Sequence, residues 1–91
     1  MKIQCMERRK VYGKYRGMVT NIDDPLGLCR IRVKVPSIYG NEESGWALPC
    51  LQFADKNIAL QHIPKVGSSV WVEFEGGNLE FPIWTGCFYS Q

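Results

Sequence analysis

Histidine is nearly absent from this 91-residue chain, where His62 stands alone. No Ser or Cys lies near it in sequence, so no local nucleophile–base pair is offered. Close cysteine pairs are missing too. Cys5, Cys29, Cys50 and Cys87 are 24, 21 and 37 residues apart, whereas zinc sites bring two ligands within about two to four residues of each other. No metal site is expected. No apolar run approaches the roughly 20 residues that a membrane helix needs, so no membrane span is expected either. The segment Met1-Lys2-Ile3-Gln4-Cys5-Met6-Glu7-Arg8 holds no apolar stretch fit for a signal peptide. Synthesis in a cytoplasm follows, with the cysteines reduced. Cys29, Cys50 and Cys87 fall in strand-like runs, where a free cysteine behaves as a small buried hydrophobe. Repeats, linkers and low-complexity stretches are absent, which leaves room for one domain.

What is present is a folded composition with an uneven charge. The chain is 45% apolar, the content of an ordinary globular domain with a modest core. Residues 1–16 carry Lys2, Arg8, Arg9, Lys10, Lys14 and Arg16 against Glu7, a net +5. Residues 17–40 are +1 and residues 41–91 are −4. The basic end suits nucleic acid, an acidic partner or the acidic half of another copy.

Short strand-like runs alternate with Pro and Gly punctuation, the pattern of a small all-β barrel. Residues 1–11 show no clear period and read as an N-terminal arm. Residues 12–91 read as the barrel, in five strands with long loops. The first spans 12–22, with Gly13 and Gly17 as bend glycines. Asp24-Pro25-Leu26-Gly27 is a turn: Asp suits its first position, Pro presets φ at the second, and Gly suits the fourth. From Leu28 to Val35, Cys29, Ile31, Val33 and Val35 take one face and Arg30, Arg32 and Lys34 the other. Pro36 ends that run, and 37–44 reads as a polar loop. Residues 45–51 form a third strand, and 52–62 a loop leading into extended chain. Val70, Val72 and Phe74 alternate with Trp71, Glu73 and Glu75 in the fourth. Gly76-Gly77-Asn78 is a hairpin loop, and 83–89 is the last strand. A short helix starting at Phe53, with Ala54 and Ile58 four apart, is the alternative for 52–62; no other helix is expected.

These pieces, in this order, resemble a known family. Tyr12-Gly13-Lys14-Tyr15-Arg16-Gly17 comes first, followed by the run from Asp23 to Pro36. Gly45-Trp46-Ala47-Leu48-Pro49 and Pro64-Lys65-Val66-Gly67 come next. Val70 to Gly77 and Pro82-Ile83-Trp84-Thr85-Gly86 complete the set. Over residues 12–89 the chain resembles the OB-fold domain of phage tail spikes, type VI secretion spikes and related contractile injection particles. The resemblance implies a five-stranded OB-fold barrel in a homotrimer. It would sit between the baseplate hub trimer, which closes the tail tube, and a membrane-piercing needle. Larger members continue into a lysozyme domain or a β-helix needle. Neither follows here, so the implied needle or tip is a separate protein, or the chain is a piece of a longer spike. The implied location is a virion tail baseplate assembled in a host cytoplasm, or a bacterial injection particle.

Four residues stand out as candidate interface positions. Trp71 shares a strand face with Glu73 and Glu75, which places it outside the barrel. It is either a surface Trp packed under a loop or an anchor in a protein–protein contact. Arg30, Arg32 and Lys34 form a basic stripe. That stripe is a solvated face, a salt-bridged interface, or the groove of a single-stranded nucleic-acid-binding OB module. The last is disfavoured because the Leu28–Val35 strand carries no aromatic on that face. Trp46 and Trp84, beside Gly45, Pro82 and Gly86, are expected in the core or at a barrel end. Glu73 and Glu75 are expected as edge-protecting charges rather than a catalytic pair. No catalytic residue and no cofactor is expected, and the chain does not read as an enzyme.

Overall fold

The computed structural model describes residues 10–52 and 62–89. They form one curled five-strand mixed sheet, an all-β OB-type fold. The strands are β1 (Tyr15–Asn21), β2 (Arg32–Lys34), β3 (Leu48–Pro49), β4 (Ser69–Phe74) and β5 (Pro82–Cys87), in the order β2-β1-β4-β5-β3. All neighbours are antiparallel except β5 and β3, which run parallel. The two edges of the sheet meet. Just before β2 and β3, Ile31 and Ala47 exchange both backbone hydrogen bonds, at 3.2 and 2.7 Å, and the Ser44 N–H donates to the Val33 carbonyl at 2.8 Å. Pairing of its own edges removes most of the unpaired backbone that an open sheet would leave.

The core follows the period-2 alternation. Ile31, Val33 and Val35 are buried from one strand, and Val70, Val72 and Phe74 from another. Trp84 closes the layer and donates its indole N–H to the Cys29 carbonyl at 3.3 Å. Gly17 sits where three strands crowd together. A Cβ there would lie 3.0 Å from a Val72 methyl and 3.1 Å from the Lys34 carbonyl oxygen, so only hydrogen fits without displacement. Val11, at the end of the arm, is buried and donates its N–H to the Gly77 carbonyl at 3.0 Å. Residues 1–9 of the arm, and residues 53–61 of the segment read as a loop, lie outside the described residues.

Three local expectations change. The run from Leu28 is not strand throughout: Cys29 adopts φ 62 and regular pairing begins only at Ile31. The polar loop after Pro36 opens with a helical turn, α1 (Pro36–Tyr39), with Pro in the first turn, where its missing N–H costs nothing. Ile38 and Tyr39 decide this. Ile38 is buried, and the Tyr39 hydroxyl donates to the Leu79 carbonyl at 2.6 Å while its ring meets Phe74 edge-on. Cys50 and Cys87 are exposed rather than buried: Cys50 follows β3 and Cys87 is the last residue of β5. Cys29 is buried, and all three are free.

Candidate functional site

With the interior filled by side chains, the outer surface carries the polar chemistry. On the wall built from β1, β4 and the end of β5, Trp71 projects outward because its neighbours Val70 and Val72 project in. Arg16 is its direct cross-strand partner. The Arg16 guanidinium carbon lies 5.2 Å from the Trp71 ring centre and 4.9 Å from that of Phe88. The two rings are 4.5 Å apart and tilted by 37°. Phe88 is held there by its N–H, which donates to the Ser69 carbonyl at 3.1 Å. A cation and two aromatic faces thus form one stack, half-buried at the rings and exposed at the guanidinium. Beside it, Lys14 and Glu73 approach to 3.6 Å, an exposed pair that contributes little.

The basic stripe is not a free one. Arg30 is engaged side-on by Asp24: its Nε donates to Oδ2 at 2.9 Å and its Nη2 to Oδ1 at 2.7 Å. The Asp24 side chain is only 3% exposed and also accepts the backbone N–H groups of Leu26, Leu28 and Arg30. The Arg30 guanidinium holds the Asp24 carboxyl well below the usual carboxylate range, against the opposing effect of burial, with the three backbone N–H groups adding to it. The carboxylate in turn raises Arg30. Arg32 pairs with Glu43 at 3.4 Å, and the Thr20 hydroxyl donates to the same carboxylate. Lys34 alone of the stripe is fully outward and exposed.

Trp46, expected in the core or at a barrel end, is half-buried on the outer face. Ala47 faces inward to pair with Ile31, so Trp46 faces outward, with the Arg32 and Arg30 guanidinium carbons 4.8 and 5.6 Å from its ring centre. The aromatic that the Leu28–Val35 strand lacks is therefore supplied by its neighbour. Glu75 leaves the strand face shared by Trp71 and Glu73, because it begins a 3-10 turn, Glu75–Gly77. A shallow open groove of about 430 Å³ lies against that turn, lined by Lys10, Glu75, Gly76, Asn78 and Phe81. Among the described residues no three His, Cys, Asp or Glu side chains are grouped to hold a metal ion, and no helix is long and apolar enough to cross a membrane.

The model of one protein family, the type VI secretion system/phage-baseplate injector OB domain, matches residues 15–89. The chain belongs to that family. No curated relative matches it. Membership gives this injector OB domain a structural role in a baseplate or spike, and a place in the tail or baseplate. Of the four candidate interface residues, the fold puts Trp71 and Lys34 on the outer surface as expected, and takes up Arg30 and Arg32 in internal pairs. Arg16 and Phe88 were missed by sequence reasoning. The signal for Arg16 was its position next to a bend glycine that faces inward. The joining of Phe88 to Trp71 depends on the β4–β5 register and had no sequence signal.

Proposed function

We propose that this injector OB domain is a non-catalytic structural subunit of the central spike of a contractile injection machine. Three copies stand around one axis, dock on the hub that closes the tail tube, and carry a needle made by another protein. Family membership supports the class of machine. The observation that supports a docking role is the Arg16–Trp71–Phe88 stack, an aromatic anchor already ordered on an outer wall. Covering the exposed part of Trp71, at most about a third of the roughly 150–250 Å² of a large aromatic, contributes about 1–2 kcal/mol. A surface ion pair contributes about 0–1 kcal/mol.

Trp71→Ala should therefore weaken assembly more than Arg32→Ala, and its effect should persist at high salt. Native mass spectrometry or light scattering, with and without the hub protein, measures this. A wild-type chain that stays monomeric at high concentration and also ignores the hub refutes the proposal, as does normal assembly of Trp71→Ala. The single-stranded nucleic-acid reading gains Trp46 as a stacking ring but loses Arg30 and Arg32 to Asp24 and Glu43. Submicromolar binding of short oligonucleotides in a gel shift at physiological salt would reinstate it, since nonspecific binding there is weaker, roughly 10⁻⁴–10⁻⁶ M.

A further inference from the structure

Three arginines lie among the described residues, and two of them are neutralised within the chain. Arg30 has Asp24 and Arg32 has Glu43. Arg16 has no carboxylate and no hydrogen-bond acceptor among the described residues; it has only the faces of Trp71 and Phe88. Ring faces attract the cation but accept none of its N–H groups as a carboxylate would, so the guanidinium donors remain available. Those donors form a fork whose spacing matches a carboxylate. Lying over two rings also fixes the side chain, so less rotamer entropy remains to be lost when a partner binds.

The surroundings extend this arrangement. Two residues along β1 on the same face, Met18 is 45% exposed and pairs across the ladder with Lys34. On the far side of Trp71 its ladder partner is Gly86, where a Cβ would meet nothing within 4 Å, so the flank of the indole is open. The wall therefore offers two cations, Arg16 and Lys34, around an apolar strip of Met18 and Trp71. We propose that this wall docks an extended acidic–apolar segment of a different protein chain, with a carboxylate on the Arg16 fork and an apolar side chain against Trp71. The inference rests on the spike-subunit reading and names the chemistry of the surface that covers Trp71. Charge complementarity selects an acidic occupant. A second copy is a poorer match: its exposed acids Asp23, Glu42, Glu75 and Glu80 sit in loops and turns rather than in an extended acidic–apolar run, and Glu43 and Asp24 are held by Arg32 and Arg30.

The test uses the ¹⁵N-labelled full chain and three probes: a peptide alternating Glu and Leu, the same peptide with Gln for Glu, and an oligothymidylate. The Glu peptide should shift the Arg16 Nε–H and Trp71 indole N–H resonances. Arg16→Glu should weaken its binding at least about tenfold, Arg16→Gln less, and Arg16→Lys least. Unchanged melting temperatures establish that these exposed substitutions leave the barrel folded. Absence of shifts, equal shifts with the Gln peptide, or tighter binding of the oligothymidylate at the same residues overturns the proposal. Self-association of the chain alone that Arg16→Glu abolishes also overturns it, since the occupant is then a second copy. If the chain assembles with the hub and needle and Arg16→Glu assembles equally well, this inference fails and the spike reading stands. If the chain ignores both yet binds the Glu peptide at Arg16, the spike reading fails and the acidic-segment chemistry stands.

Discussion

Asp24→Ala removes an acceptor shared by five N–H bonds, three from backbone and two from the Arg30 guanidinium. The three backbone groups belong to Leu26, Leu28 and Arg30, and each contributes about 1 kcal/mol net through its bond. Their loss alone costs about 3 kcal/mol. The Arg30 guanidinium reaches water when its partner is gone and is given no further weight. In a domain of this size each kcal/mol lowers Tm by about 4–8 °C, so Asp24→Ala should melt roughly 12–24 °C below wild type. Asp24→Asn keeps one carbonyl oxygen and should lose about half as much. The neighbouring Asp23, whose side chain is exposed, is the control, and Asp23→Ala should fall within about 0.5 kcal/mol of wild type. Thermal unfolding followed by circular dichroism at neutral pH reads all three. The pH dependence has a definite sign. The folded-state carboxyl titrates below its unfolded value, so its contribution is present above about pH 4 and is lost as pH falls below that, through the acid range. Asp24→Ala should lack this acid-dependent loss. Melting of Asp24→Ala within about 4 °C of wild type would refute the reasoning, because the 22–30 loop would then be held by something other than this carboxylate.

Gly77→Ala should destabilise by about 2 kcal/mol, since Gly77 has φ 77 and an added Cβ would lie 2.8 Å from the Tyr12 ring. In denaturant unfolding, adding Tyr12→Ala should recover the contact part and leave the φ part, and an unchanged midpoint for Gly77→Ala would contradict the geometry. In a Cys5→Ser background, thiol titration should find Cys50 and Cys87 reactive in the native protein and Cys29 only after unfolding. Burial pushes the Tyr39 hydroxyl up to about 12. Ultraviolet titration should show a late phenolate step that Tyr39→Phe removes. Since the unfolded phenol ionises near pH 10, the contribution of Tyr39 to stability should fall between about pH 10 and 12.

Much of the fold was legible in the sequence where the governing physics is local. Alternation of side chains along a strand is a property of the backbone pleat, so Ile31, Val33, Val35, Val70, Val72 and Phe74 could be assigned to the core, and Trp71 to the outside, before any partner strand was known. The Asp24–Gly27 turn was legible for the same reason: the Gly27 N–H closes it on the Asp24 carbonyl at 3.0 Å. The second role of Asp24, as the anchor of Arg30, was not, because it depends on the left-handed turn at Cys29 that folds the loop back.

The sequence by itself determined the all-β class, the inward and outward faces and the order of motifs that marks the family. The tertiary structure alone decided which surface charges are free. Arg30, Arg32 and Lys34 are equivalent along a strand, but Asp24 and Glu43 approach only through loops that fold back on it, and they occupy two of the three. Trp46 lies on the outer face because Ala47 closes the barrel against Ile31. Arg16 became the one arginine without a carboxylate among the described residues, because β1 lies beside β4 in a register that sets it opposite Trp71. Pairing between strands some 55 residues apart in sequence is a non-local choice, made by burial of both inner faces at once, and no local pattern encodes it.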